Sequence, residues 1–198
     1  LPGFVSKSMN GELTTLGRGG SDYTAAIIAA ALDAEELQIW TDVSGMYTTN
    51  PKLVKQAKPI EKLSYQEAVE LSHFGAKVLY PPTVQPVLDK NIPIVIKNTL
   101  APKDSGTYIS NENPNGTSLA VKGISNIDNI ALLTLQGNGM VGIPGFSRRL
   151  FETLSQEKIN VIFITQASSE HSICIGISEK DANAAKVAVD KTFENEIS

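Results

Sequence analysis

The sequence predicts an α/β protein in which a mostly parallel, helix-layered sheet is followed by a smaller β-α-β-β-α unit. Three observations lead there. Short apolar strands alternate with helical stretches from Leu13 to Ile109. A glycine-rich turn, Gly17-Arg18-Gly19-Gly20-Ser21-Asp22, stands between a strand and a helix. Between Ala101 and Ser118 the composition shifts to turn formers, after which a second run of strands and helices begins.

The first strand is Glu12 to Leu16, and the alanine-rich stretch from Tyr23 to Leu32 reads as a buried helix. Leu37-Gln38-Ile39-Trp40 is a strand ending in Thr41-Asp42, and Val43 to Pro51 is a loop of turn formers. Ser64-Tyr65-Gln66-Glu67 is a capping box that opens a helix through Ala68, Val69, Leu71 and Phe74. A helix from about Thr83 to Asp89 leads to the buried strand Ile92 to Lys97. Turn residues flank a short strand at Thr107-Tyr108-Ile109, so a linker is expected at about 101–118, dividing residues 1–112 from residues 113–198. In the second part strands are expected at Ala131–Leu135, Asn160–Ile164 and Ser172–Ile177, with helices at Phe146–Glu157 and from Glu179 to about Glu194. That is the ferredoxin-like order short of its final strand, an open-edged unit expected to pair with another copy.

Composition limits the function classes. The 198 residues are 41% apolar, and 17 basic against 21 acidic residues give a net charge of -4, well mixed along the chain. This argues against a nucleic-acid or anionic-membrane partner. A single cysteine, Cys174, precludes an intramolecular disulfide and fits a reducing compartment. No apolar run approaches the roughly 18 residues of a membrane span and no signal peptide leads the chain, so the expected address is the cytoplasm. The start at Leu1-Pro2-Gly3, without methionine, reads as partway through a domain.

The candidate sites follow from residue chemistry. Glycines let backbone approach a ligand, and the first amides of the following helix can donate to an anion. Arg18 adds a planar fork for a carboxylate or phosphate, with Ser21 and Asp22 beside it. The same spacing also serves a tight turn with Ser21 or Asp22 as helix cap. Thr41 and Asp42 stand at a strand's carboxyl end, where α/β sheets place ligands. Tyr47 could line a base pocket or simply pack its loop. Lys77, in an uncharged stretch, suits a phosphate or solvent. The loop Met140-Val141-Gly142-Ile143-Pro144-Gly145 can offer amides to a carboxylate, or only shape a turn. No second ligand lies at metal spacing from His171 or Cys174, and no metal site is expected in the chain itself.

Taken together, Leu16-Gly17-Arg18-Gly19-Gly20-Ser21-Asp22, Trp40-Thr41-Asp42, Gly45-Met46-Tyr47-Thr48-Thr49 and Phe74-Gly75-Ala76-Lys77-Val78-Leu79 closely resemble the C-terminal half of the aspartokinase catalytic domain. Val121-Lys122-Gly123-Ile124-Ser125 through Ile164-Thr165-Gln166-Ala167-Ser168-Ser169-Glu170 resembles the first regulatory ACT domain, most similar to that of bifunctional aspartokinase–homoserine dehydrogenases. The resemblance implies a partial amino-acid-kinase-type three-layer αβα domain followed by an ACT domain. It also implies a parent enzyme that phosphorylates the β-carboxylate of L-aspartate with MgATP, the first step of lysine, threonine and methionine biosynthesis. Arg18, Gly20 and Ser21 would hold aspartate, Asp22 would organise the active-site charges, and Thr41, Asp42, Tyr47, Lys52 and Lys77 would serve ATP and, through it, Mg2+. Met140 to Gly145 would bind an amino-acid effector, threonine before lysine, with Asn160, Ile162 and Gln166 as the opposite wall across a homo-oligomer.

The sequence departs from that pattern in places. The family usually has aspartate and arginine at Asn50 and Lys52, and histidine at Tyr80. The Lys-Phe-Gly-Gly-Thr-Ser-type motif and the homoserine dehydrogenase domain are not in this sequence, so the chain alone is expected to be inactive and to expose apolar surface. A non-catalytic amino-acid sensor, a lysine-sensitive monofunctional aspartokinase and another amino-acid kinase are the alternative readings.

Overall fold

The computed structural model describes residues 3–74, 78–111, 121–137, 140, 142–166 and 172–196. The chain forms two compact units, Leu1–Asn126 and Ile127–Ser198. The division falls later than the expected 113, which itself lies outside the described residues.

The first unit opens with a two-stranded antiparallel hairpin of β1 (Val5–Lys7) and β2 (Leu13–Thr15). β2 therefore precedes the glycine turn as expected, but it joins no larger sheet. The main sheet has the order β3-β5-β6-β4, from β3 (Leu37–Thr41), β4 (Lys62–Ser64), β5 (Ile94–Asn98) and β6 (Thr107–Ser110). β3 with β5 and β4 with β6 are parallel, whereas β5 with β6 is antiparallel. The stretch expected as linker thus contains an interior strand, with Thr107 and Ile109 fully buried.

Strand alternation decides what each face meets. Leu37, Ile39, Leu63, Ile94, Ile96 and Ile109 form one core cluster with Ala26 and Ala29 of α1 (Gly20–Ala31), Ala68 of α2 (Tyr65–Phe74) and Val84 and Val87 of α3 (Val84–Leu88). The other face presents Gln38, Trp40 and Tyr108, with Lys97 Nζ 5.9 Å from the Trp40 ring. The described residues therefore build two layers, and the second helical layer of a three-layer domain is not among them. α1 is correspondingly less buried than its alanine-rich sequence predicts, since Ile27 is 45% and Leu32 74% exposed.

The capping box at α2 closes as its spacing predicts. Glu67 N donates to Ser64 Oγ at 3.1 Å, and Ser64 N donates to Glu67 Oε2 at 2.8 Å. A 3₁₀ turn, Pro81–Thr83, precedes α3, because the proline pair fixes extended backbone at Tyr80 and then starts a helical turn.

The second unit runs β7 (Ile130–Gln136), α4 (Phe146–Gln156), β8 (Val161–Gln166), β9 (Ser172–Ser178) and α5 (Ala182–Thr192), the expected β-α-β-β-α order. Its sheet is antiparallel with order β7-β9-β8. Ile173, Ile175 and Ile177 of β9 are buried with Leu150 and Leu154 of α4 and Ala185 and Val189 of α5. The helix expected from Glu179 begins as a 3₁₀ turn, Glu179–Asp181.

Candidate functional site

The carboxyl end of β3 delivers Thr41 and Asp42 to a cleft of about 420 Å³ in the first unit, where Arg18, Tyr47 and Lys52 also meet. Local chemistry explains each position. Thr99 N donates to Thr41 O at 2.8 Å, which extends the β3 pairing beyond the strand end. Asn98 Nδ2 donates to Ser44 Oγ at 2.8 Å and Ser44 Oγ donates to Asp104 Oδ2 at 2.5 Å, fixing the loop that leaves Asp42. Tyr47 is held by a bridge to Pro59. Asn50 forms an Asx turn, accepting from Lys52 N at 3.0 Å through Oδ1, and this presents Lys52 to the cleft. Asn50 is thus a turn former here, the role that its position before Pro51 allows. Among the described residues neither Arg18 nor Lys52 is ion-paired with a carboxylate. Val43, Leu71 and Val78 add an apolar wall. The arrangement pairs a surface for a flat ring with two cations, a carboxylate and a hydroxyl.

The glycine turn plays a more structural part than its spacing predicts. α1 begins directly after Gly19, whose φ of 81° only glycine adopts freely, and no side chain caps the helix. Ser21 and Asp22 are therefore inside the first turn and are not its caps. Gly20 N donates to Gly17 O and Asp22 N to Gly19 O, both at 3.1 Å, so these amides are already engaged. A Cβ on Gly19 would lie 2.5 Å from Tyr80 Cβ. Gly19→Ala is accordingly expected to destabilise the unit by about 2 kcal/mol through backbone strain and displacement of Tyr80, as read from the urea midpoint. Gly20 is buried, and a Cβ there would lie 2.5 Å from Leu16 Cβ, so this position packs on Leu16.

Asp22, Ser21 and Gly20 do not line the cleft that holds Thr41 and Asp42. Burial pushes the Asp22 carboxyl above its ordinary value, while the Ser21 hydroxyl and the Tyr80 backbone N–H pull it the other way. Ser21 Oγ donates to Asp22 Oδ1 at 3.4 Å. Lys77 lies outside the described residues, as does Val141.

The second unit has a cavity of about 320 Å³ at the start of α4, lined by Met140, Gly142 to Gly145 and Gln166. Gly145 precedes the helix at a φ of 105°, again with no side-chain cap. Gln166 closes the cavity from β8, whereas Asn160 and Ile162, near the opposite end of that strand, do not line it. Phe146 and Ile173 complete its apolar side. Sequence reasoning missed Phe146 because its place at the start of an amphipathic helix reads as ordinary core.

Residues 1–98 match the amino acid kinase family and residues 133–193 an ACT domain. The whole chain is 48% identical over 197 residues to a bifunctional aspartokinase/homoserine dehydrogenase of Haemophilus influenzae, of which it covers 24%. Among solved structures it is similar to aspartokinase III of Escherichia coli in complex with lysine and aspartate in its T state, with TM-score 0.66 and 37% identity, over 89% of this chain and 39% of that one. The same enzyme with aspartate and ADP in its R state gives TM-score 0.58 and 27% identity, over 96% of this chain and 59% of that one. The chain thus spans about a quarter of the length of the curated relatives it matches. By these matches the chain belongs to the amino acid kinase family, with an ACT domain following, and along its length it is similar to aspartokinases.

Proposed function

We propose that this chain supplies the nucleotide site and the amino-acid sensor of an aspartate kinase, the full protein transferring the γ-phosphoryl group of MgATP to the β-carboxylate of L-aspartate to give 4-phospho-L-aspartate. The observation that carries the reading is the convergence of Arg18, Thr41, Asp42, Tyr47 and Lys52 on one cleft. Phosphoryl transfer depends on position and charge neutralisation, and the cleft has both cations and a ring-sized apolar wall. Tyr47, Val43 and Leu71 would take the base, Thr41 and Asp42 the sugar side, and Lys52, with Lys77, the phosphates. Mg2+ would arrive on the nucleotide, whose phosphate charge it neutralises.

Arg18 is at the cleft margin and would clamp the carboxylate of aspartate, with Ser21 and Gly20 as backbone support and Asp22 organising the charges around them. Gly20 is the weakest of these, being packed on Leu16. The ACT cavity, with Met140 to Gly145 and Gln166, fits a small amino acid whose carboxylate faces the start of α4. Val141 is kept in that set on the family pattern. Threonine is the favoured effector, on the resemblance of the string Ile164 to Glu170 to that of threonine-sensitive bifunctional enzymes, and lysine is the second reading, since aspartokinase III has been solved with lysine. β8 is an edge strand with Phe163 36% and Ile164 57% exposed, which supports pairing between ACT units in a homo-oligomer, where Asn160 and Ile162 of another copy would stand near the effector. We assign residues 1–112 to the catalytic part and 113–198 to the regulatory part of a cytoplasmic enzyme.

The test is calorimetric titration of this chain. MgATP is expected to bind, with affinity reduced at least about tenfold by Lys52→Ala, since a partly desolvated phosphate contact contributes roughly 1.5 kcal/mol or more. Asp42→Asn should also weaken it. MgATP affinity unchanged in both variants would overturn the nucleotide assignment.

A further inference from the structure

Residues 122–126 fall within the stretch assigned above to the regulatory part, yet they belong to the first unit, where Ile124, Ser125 and Asn126 line the same cleft as Thr41, Asp42, Tyr47 and Lys52. The segment is fastened to the first unit at two points. Lys122 Nζ is 2.7 Å from Glu67 Oε1 and donates to Oε2 at 2.9 Å, with side-chain exposures of 22% and 35%. Glu67 is itself immobilised, because the capping box engages its carboxylate and its amide with Ser64. Two residues beyond Lys122, Ile124 N donates to Thr48 O at 2.8 Å. Gly123 packs between these points so closely that a Cβ there would be 3.0 Å from Leu71 Cδ2 and 3.3 Å from Thr48 O. Leu71 and Thr48 belong to the cleft wall and to the loop that carries Tyr47.

The consequence for Ile124 is specific. Its backbone N–H is bonded inward while the residue is 67% exposed, an aliphatic group lining the cleft with Leu71 and Val78. Strapping a large apolar group into an open cleft prepares it for a flat apolar ligand, since ordering is completed before binding and the ligand supplies the missing contact.

We infer that residues 122–126 form a strap completing the nucleotide site, in which Ile124 packs on the base and the Lys122–Glu67 ion pair is the positioning contact that holds it there. This rests on the nucleotide reading above. A partly buried pair tied into a helix cap is rigid enough for that role, and breaking it leaves a charge uncompensated. Glu67 fits the role: burial alone would raise its carboxyl, but Lys122 and Ser64 hold it below its ordinary value, so the pair stays charged at neutral pH.

The experiment titrates the full chain with MgATP and, separately, with magnesium tripolyphosphate, which lacks base and sugar. Ile124→Ala is expected to weaken MgATP roughly five- to tenfold and to leave tripolyphosphate unchanged, because only apolar contact with the ring is lost. Lys122→Met should weaken MgATP to a similar degree, and Lys122→Arg should restore it, a rescue that general loss of packing would not give. Ile124 is mostly exposed, so its variant tests the inference even if Lys122→Met fails to fold. Affinity for MgATP within twofold of wild type in Ile124→Ala, with Lys52→Ala still weakening it, would overturn the strap and leave the nucleotide site standing. Wild-type chain that binds no MgATP, or binds it regardless of Lys52→Ala and Asp42→Asn, would remove both.

Discussion

Thr107→Val is expected to destabilise the first unit by about 2–4 kcal/mol while changing neither volume nor strand propensity appreciably. Thr107 is fully buried, and its hydroxyl works in two directions. Oγ1 accepts from Met46 N at 2.8 Å and donates to Ile60 O at 2.6 Å. Met46 is also fully buried, and Ile60 N donates to Met46 O at 2.7 Å, so the hydroxyl closes a small network between β6 and two loop segments. Valine keeps the methyl group's shape but strands a buried N–H and removes one partner from a half-buried carbonyl. Desolvation of those groups is then uncompensated, which is why the loss exceeds that of one average hydrogen bond. Met46 precedes Tyr47, so MgATP affinity should fall as well. Thr107→Ser retains the hydroxyl and should recover most of the stability. Urea denaturation reads all three chains, and a valine variant within 0.5 kcal/mol of wild type would contradict the account.

Such a network could not be read from the sequence, and the reason is physical. Signals within a few residues are legible because local geometry fixes the partner, as in the Ser64–Glu67 capping box, the Asn50-Pro51 turn and the order of strands and helices. Thr107 was visible only as part of a short strand between turn residues, which reads as linker. Its place inside the sheet depends on pairing with Ile96, eleven residues earlier across a loop, and on the pairing of β6 with β4, forty-six residues earlier at Lys62 and Tyr108 and too short at three residues to show periodicity. Lys122 is a similar case, because nothing near it marks Glu67 as its partner. α1 illustrates the converse, where alanine content predicts burial but the described residues cover only one side. The Gly17–Asp22 motif was recognised, yet its glycines are explained in part by Tyr80 and Leu16 packing on them. Thr41, Asp42, Tyr47 and Lys52 line one cleft; the strand's carboxyl end marked Thr41 and Asp42 in the sequence, whereas the residues alone left Tyr47 open and only the resemblance pointed to Lys52.

Phe193→Ala is expected to have the largest effect on the second unit, a loss of about 3–5 kcal/mol. Phe193 is fully buried just past the end of α5 and stacks on Phe146 at 5.7 Å with an interplanar angle of 10°. Arg149 lies 4.4 Å above the Phe193 ring. It donates from Nη2 to Thr192 O at 2.6 Å and from Nη1 to Glu196 Oε1 at 2.5 Å. One guanidinium thus caps the last turn of α5, pairs with the segment beyond it and covers the aromatic pair. Removing the ring leaves a cavity, and it also takes away the support behind Phe146, which lines the ACT cavity. Effector affinity should therefore fall together with stability, whereas hydrogen exchange in β5 of the first unit should be unchanged at temperatures where β7 and β9 have lost protection. Arg149→Met separates the contributions, because it keeps the stacked rings and removes the cap and the cation. That variant should cost clearly less stability than Phe193→Ala and leave effector binding measurable. If Arg149→Met matched Phe193→Ala in both readouts, the support behind Phe146 would come from the guanidinium and not from the buried ring.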